Sequence, residues 1–288
     1  MNPQLTKENN MKKSMLALLL TTALMLATPV LAHEGEDHGT GAMHEHSHDA
    51  KPAKAMAAEI SATSPLKAGE SYNFTIKLTS DGAPVSEAQL QEVHTRKVHL
   101  LVVDESLTDY NHLHPQALDE AGTYSASFTP MKSATYKVFA DVTPVGASQQ
   151  FVVAKITGEK PCDTPCIDKT ASTTGAADGL KADLFFKSAL KVGAPVMAMA
   201  QITDDSGKPV TDLEPVMGAF AHIVGFYDDF ATVAHIHPMG KEPTADTERS
   251  GPDLSFHLEP AKAGYLKLFV QVRRGGKDIF IPAGIEVK

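Results

Sequence analysis

The strongest constraint on this chain is an internal repeat. Residues 66–85 (LKAGESYNFTIKLTSDGAPV) align with residues 190–210 (LKVGAPVMAMAQITDDSGKPV), with one residue inserted at the turn. Residues 99–115 (HLLVVDESLTDYNHLHP) align without a gap on residues 222–238 (HIVGFYDDFATVAHIHP), and residues 128–142 match residues 258–272. The three matches keep their order, so the simplest account is a duplicated domain of about one hundred residues, a common domain size. Whatever one half folds into, the other half must fold into as well.

Each copy reads as all-β. Tyr72, Phe74, Ile76 and Leu78 alternate with polar residues, the period-two pattern of a half-buried strand. Asp81-Gly82 then marks a turn. Residues 98–103 (VHLLVV) form a β-branched run suited to a central strand, and residues 136–142 and 150–153 read the same way. No segment combines length, caps and a helical period. Short strands punctuated by Gly and Pro predict two tandem Ig-like or cupredoxin-like β-sandwich domains, at residues 60–157 and 180–288. Residues 158–179, rich in Pro, Gly, Ser and Thr, are expected to form a linker.

The N-terminus carries an export signal. Residues 11–32 (MKKSMLALLLTTALMLATPVLA) have a basic start, an apolar stretch and a small-residue end at Val30-Leu31-Ala32. The apolar run carries Thr21, Thr22 and Thr28 and is short for a full membrane span. Residues 1–32 are therefore expected to be a cleaved signal peptide, giving a periplasmic or secreted protein that is not membrane-embedded after cleavage. Removal of three lysines and one glutamate takes the formal charge from −9 to −11, so the footprint of a nucleic-acid binder is absent. Residues 33–59 then form an acidic tail too poor in large apolar residues to fold, and disorder is expected there.

Histidines stand out within the repeat. His99 precedes His112 by thirteen positions and His114 follows; His222, His235 and His237 repeat the pattern, while most other side chains in these windows have diverged. In an extended chain His112 and His114 point to one side, and the proline after each pair favours extension of the residue before it. Three neutral imidazoles converging in this way suit a copper ion, with zinc or nickel as alternatives. No thiolate accompanies either triplet, which argues against a blue-copper electron-transfer centre. The competing reading is structural: strand histidines bonded to backbone, and loops braced by ring hydrogen bonds. His94 and Met217 precede His99 and His222 by five residues and are candidate fourth ligands, with Met131 and Met239 as other thioethers and His257 unique to the second copy. Asp119 and Glu242 follow the His-x-His pairs at equal distance, an order that resembles the first cupin motif without its preceding glycine. A bicupin-like mononuclear metalloenzyme is accordingly the third reading.

Two further groups carry metal chemistry. His33, His38, His44, His46 and His48 alternate with acids in the tail, a composition that collects divalent ions. Cys162 and Cys166 form a C-x3-C, expected as a local disulfide in an oxidising compartment. The spacing is similar to that of the thioredoxin-like Sco family of copper-delivery proteins, whose fold is not visible here. No G-x-S-x-G or P-loop is present.

The repeated set resembles a class of exported bacterial β-sandwich domains. Its pattern is a strand histidine, a loop ending His-x-His-Pro, and a Gly-x-Tyr-like strand ending in Phe; Ala134-Thr135-Tyr136 and Ala263-Gly264-Tyr265 supply the last element here. The resemblance covers about two-thirds of the chain and implies a cupredoxin/Ig-like fold with copper or heavy-metal handling. A mature N-terminal histidine also resembles small periplasmic copper-binding β-barrel proteins at that one point. The expectation is a non-enzymatic metal-binding protein acting in buffering, delivery or resistance, with a metal ion and a membrane efflux or metal-delivery complex as partners. The alternative is an accessory interaction module of a membrane complex with structural histidines. Cleavage after Ala32 would leave His33 first, its amine and ring chelating one Cu(II); mass spectrometry of the exported protein is expected to find His33 at the terminus, and any other first residue removes that chelate.

Overall fold

The computed structural model describes residues 54–162 and 166–288, without the side chains of His235 and His237. The signal segment and the five tail histidines lie outside the described residues. The described chain is all-β with one short 3-10 turn at Glu87–Gln89. The first repeat contains β1 (Met56–Ala62), β2 (Tyr72–Ser80), β3 (Ala83–Pro84), β4 (His99–Asp104), β5 (Tyr110–Leu113), β6 (Gln116–Ala117), β7 (Thr123–Phe128), β8 (Tyr136–Val142) and β9 (Gln150–Ile156). The second contains β10 (Thr174–Ala177), β11 (Leu180–Phe186), β12 (Val196–Asp204), β13 (His222–Tyr227), β14 (Val233–Pro238), β15 (Asp253–Leu258), β16 (Gly264–Arg274) and β17 (Lys277–Val287). Tandem antiparallel sandwiches are what the alternation predicted.

Two boundaries differ from the sequence reading. β1 begins at Met56, inside the segment assigned to the tail, because Met56, Ala58 and Ile60 alternate onto the first core. β10 lies inside the expected linker, where Thr174–Ala177 pairs with β11 although its composition reads as loop.

The first repeat folds as two sheets, β1-β2-β7-β6 with β3 on β2, and β5-β4-β8-β9. The second is one continuous eight-stranded sheet, β10-β11-β12-β15-β14-β13-β16-β17. The difference lies at the His-x-His-Pro segment. In the second repeat β14 pairs with β13 through Ile236↔Ile223 and with β15 through Ile236↔Leu258, so one strand bridges both halves. In the first repeat the strand parts at His114-Pro115: β5 pairs with β4, and β6 pairs with β7.

The central strand β4 is buried at all six positions. Leu100 and Val102 face the core of their own repeat, whereas Leu101 and Val103 face outward into a third cluster. That cluster joins the repeats, and its members are largely equivalent pairs: Leu101 with Val224, Val103 with Phe226, Leu107 with Phe230, Phe139 with Phe269. Each repeat thus presents one sheet face to the other. Tyr110 stacks on Phe269 at 4.8 Å between centroids, and Phe226 meets Phe139 at 5.6 Å. Lys137 seals the rim, its ammonium donating to the Phe230 carbonyl and lying 4.6 Å from that ring. Gly225 in β13 lets the sheet pack closely, since a Cβ there would meet Leu266 Cδ1 at 2.8 Å and Leu268 Cδ2 at 2.9 Å and push those leucines aside. Phe226→Ala, at this joint, is expected to lower the free energy of unfolding by about 3–5 kcal/mol, read from the urea midpoint.

Candidate metal centre

His99 opens β4 on the face that carries Leu101 and Val103, and it is buried at 5% exposure. His112 lies opposite Leu101 on β5, in the register Leu101↔His112. The turn between these strands is pinned by Asp104, whose carboxylate accepts from the Thr108 and Asp109 amides at 2.8 Å each. Tyr136 Oη closes the same corner by donating to Asp109 at 2.5 Å. His114 stands one residue beyond β5, where the strand parts, and not on the strand as the spacing suggested. The three rings still converge. Their centroids are 5.2 Å (His99–His112), 5.1 Å (His99–His114) and 5.2 Å (His112–His114) apart. Three imidazoles around one tetrahedral ion at 2.0–2.1 Å per bond would have centroids roughly 5 Å apart.

Hydrogen bonding fixes which nitrogens face inward. His99 Nε2 is 2.9 Å from the Val93 carbonyl, which only accepts, so this nitrogen carries the proton and Nδ1 the lone pair. His112 Nδ1 is 2.9 Å from Gln271 Oε1. The Gln271 amide cannot be turned over, because its NH2 donates to Asp278 Oδ2 at 3.3 Å. His112 therefore donates from Nδ1 and keeps its lone pair on Nε2. These two lone pairs face each other across 3.1 Å. Two neutral imidazoles repel in that arrangement, and a cation between them removes the repulsion. His114 Nε2 is buried without a hydrogen-bond partner. One ligand atom from each histidine lies within 4.8 Å of the others, so a modest ring rotation closes the set. Among the described residues this is the group of three or more donors suited to an ion.

The outer layer comes from the second repeat, which the sequence did not reveal. Gln271 is on β16, and Asp278, which holds it, is clamped by Arg273 at 2.5 and 3.1 Å. Orientation of a ligating imidazole through its other ring nitrogen is the usual arrangement around a bound metal. The signal for Gln271 was its alignment with Asp141, a polar position repeated within an apolar strand.

The other described sequence candidates stand outside this group of three. His222 mirrors His99: it is buried, opens β13, and places Nε2 3.0 Å from the Val216 carbonyl. His235 and His237 lie on β14, in register with Val224 and His257, and their side chains lie outside the described residues. Asp119 and Glu242 are exposed, and neither joins the cluster. Met131 is 72% exposed and is not a core residue. Cys162 and Cys166, expected as a disulfide, are free thiols in the structure, with Cys166 Sγ donating to the Glu105 carbonyl at 3.2 Å. Burial first, then the Cys166 thiol and Glu105, push Cys162 up to about 12, which disfavours a thiolate.

Burial lowers every histidine of the centre. His99 falls to about 4 and His222 to about 3; His112 lies well below the ordinary value, and His114 is lowered by burial and by Arg96. These rings are neutral when folded and gain protons when unfolded. Their contribution to stability is complete above pH ~6.5 and is lost as pH falls below it, on the order of 3 kcal/mol at the limit for His99 alone. Asp141 acts oppositely: burial raises it to about 6, so between that value and 3.8 the folded state holds the extra proton. Four lowered histidines outweigh one raised carboxylate. The metal-free protein is expected to lose stability steadily from pH 7 to pH 4, and His99→Gln is expected to flatten that slope in urea titrations across pH.

A family model described as "Domain of unknown function (DUF8832)" matches residues 43–157 and again residues 174–288. No curated protein matches. A solved structure of the "D00-D0 domain of Intimin" is 10% identical, covering 80% of this chain and 99% of that one, with a TM-score of 0.23. The two family matches coincide with the repeats seen in sequence and structure, and the chain belongs to the DUF8832 domain family, which it carries twice.

Proposed function

We propose that this is an exported, non-catalytic metal-binding protein, with copper as its first ion and zinc or nickel as alternatives. One ion would sit on His99, His112 and His114, and by analogy between the repeats a second on His222, His235 and His237. The observation that carries this reading is the pair of lone pairs facing each other at 3.1 Å beside an orphaned third imidazole. A purely structural set of histidines gains nothing from that arrangement. The donors are all imidazole, which suits Cu(II), Zn(II) and Ni(II), and the general affinity order favours Cu(II) among them.

An open cleft of about 760 Å³ supports access. His112 and His114 line one wall, and Ser61, Thr75, Ser125 and Ser127 offer hydroxyls along it. An ion would meet His112 and His114 there first. Capture by the tail histidines, storage in the repeats and transfer to a membrane efflux or delivery complex need no chemistry on a substrate.

The test uses the full exported chain with His33, His38, His44, His46 and His48 replaced by serine, so that the tail is silent. Calorimetric titration with Cu(II) is expected to show binding that His112→Ala abolishes at the first centre. Gln271→Leu, which touches no ion, is expected to weaken the same centre about 10–100-fold. If the tail-silenced chain takes up no Cu(II), Zn(II) or Ni(II), the histidines are structural, and the accessory interaction module becomes the better reading.

A further inference from the structure

Outside the two triplets, another histidine enters the same region from an unexpected place. His94 belongs to the first repeat, in the turn that precedes β4. Its ring centroid lies 5.0 Å from that of His222 in the second repeat, at an interplanar angle of 78°. That separation matches the 5.1–5.2 Å within the His99 triplet. It is also what two imidazoles on one ion would give, roughly 4.5–5 Å for bonds of 2.0–2.1 Å. By contrast, His94 to His99 and His112 to His222 are both 6.5 Å, beyond the separation of adjacent imidazoles on one ion.

The backbone at His94 is costly. Val93 and Arg96 bond to each other at 2.8 and 3.1 Å, closing a two-residue turn. His94 has φ +48° and Thr95 φ +67°. Such turns prefer Asn-Gly, and a β-branched residue at positive φ is an outlier. The equivalent turn of the second repeat relieves one of these positions, with Met217 at φ +50° followed by Gly218. Strain retained at Thr95 points to a use for the turn as a whole. The turn has two outputs: the Val93 carbonyl orients His99, and the His94 ring reaches the other repeat.

His222 is prepared for a ligand in the same way as His99. Its Nε2 donates to the Val216 carbonyl, so the neutral ring carries its lone pair on Nδ1. A small cavity of about 30 Å³ lies at the repeat interface, lined by His94, His99, His112, His222 and Asp141. One water-sized guest needs only about 10–15 Å³.

We propose that His94 is a metal ligand supplied by the first repeat to the centre built on His222 of the second, so that this centre spans the repeat interface. The inference rests on the metal-binding reading and names a donor that the duplicated triplets do not contain. Because Met217 occupies the matching turn position, the two centres differ in kind: an imidazole where the other repeat has a thioether. The two turns also adjoin, since a Cβ on Gly218 would lie 3.6 Å from Thr95 Cγ2.

The experiment again uses the full exported chain with the tail histidines silenced, and Cu(II) alone as probe. His94→Asn removes the imidazole and suits the left-handed backbone, so the metal-free melting temperature is expected to hold or rise. Copper titration is expected to show one class of sites weakened about tenfold or more, with fewer coupled nitrogens in its electron paramagnetic resonance spectrum. The class abolished by His112→Ala is expected to remain. His94→Gly, freer still at that φ, is expected to behave as His94→Asn does. If both variants bind copper with the parent's number, affinity and spectrum, His94 is not a ligand and this inference falls while the triplets stand. If the parent itself binds no copper, the metal-binding reading has failed instead.

Discussion

Apolar packing between the two repeats is the interaction on which the rest depends. Leu101, Val103 and Phe139 from one sheet meet Phe226 and Phe269 from the other, and Tyr110 stacks into the same cluster. Side chains of this size each contribute about 1.5–3 kcal/mol when fully buried. The same contact encloses the histidines. His99 shares a strand face with Leu101 and Val103, and His222 shares one with Val224 and Phe226, so drying the apolar cluster also dries the imidazoles beside it. Burial then holds those rings neutral, the protonation state a metal requires.

The joint also distributes the centre over both repeats. The first repeat supplies His99, His112 and His114, while the second supplies Gln271, with Asp278 and Arg273 behind it. Neither repeat alone fixes the His112 tautomer. Duplication followed by face-to-face docking therefore does more than repeat a fold. It creates an interface at which each copy can acquire groups from the other, and the divergence of Asp141 from Gln271 and of His94 from Met217 falls at that interface.

The two repeats also treat the His-x-His-Pro segment differently. In the second it is part of a bridging strand, β14, paired on both sides. In the first the strand parts at His114, and the gap opens into the cleft lined by His112 and His114. Proline lacks an amide hydrogen and weakens pairing at its own position in both repeats. Neighbouring residues decide whether the ladder continues past it.

The sequence by itself determined the all-β class, the duplication, the central strands and the three candidate histidine positions of each copy. These follow from period-two alternation and from repetition inside one chain, both local properties of the order of residues. Tyr72, Phe74, Ile76 and Leu78 could be assigned to a core face without coordinates, and the fully apolar run of β4 already implied cover on both sides. Only the tertiary structure decided what that second cover is. It also decided that His114 sits off the strand, that Gln271 sets the His112 tautomer, and that His94 meets His222. Gln271 and His112 are 159 positions apart, and no period within a strand relates them. Contacts of that range are set by how two finished sheets dock, which depends on the shape of whole faces and not on any local pattern.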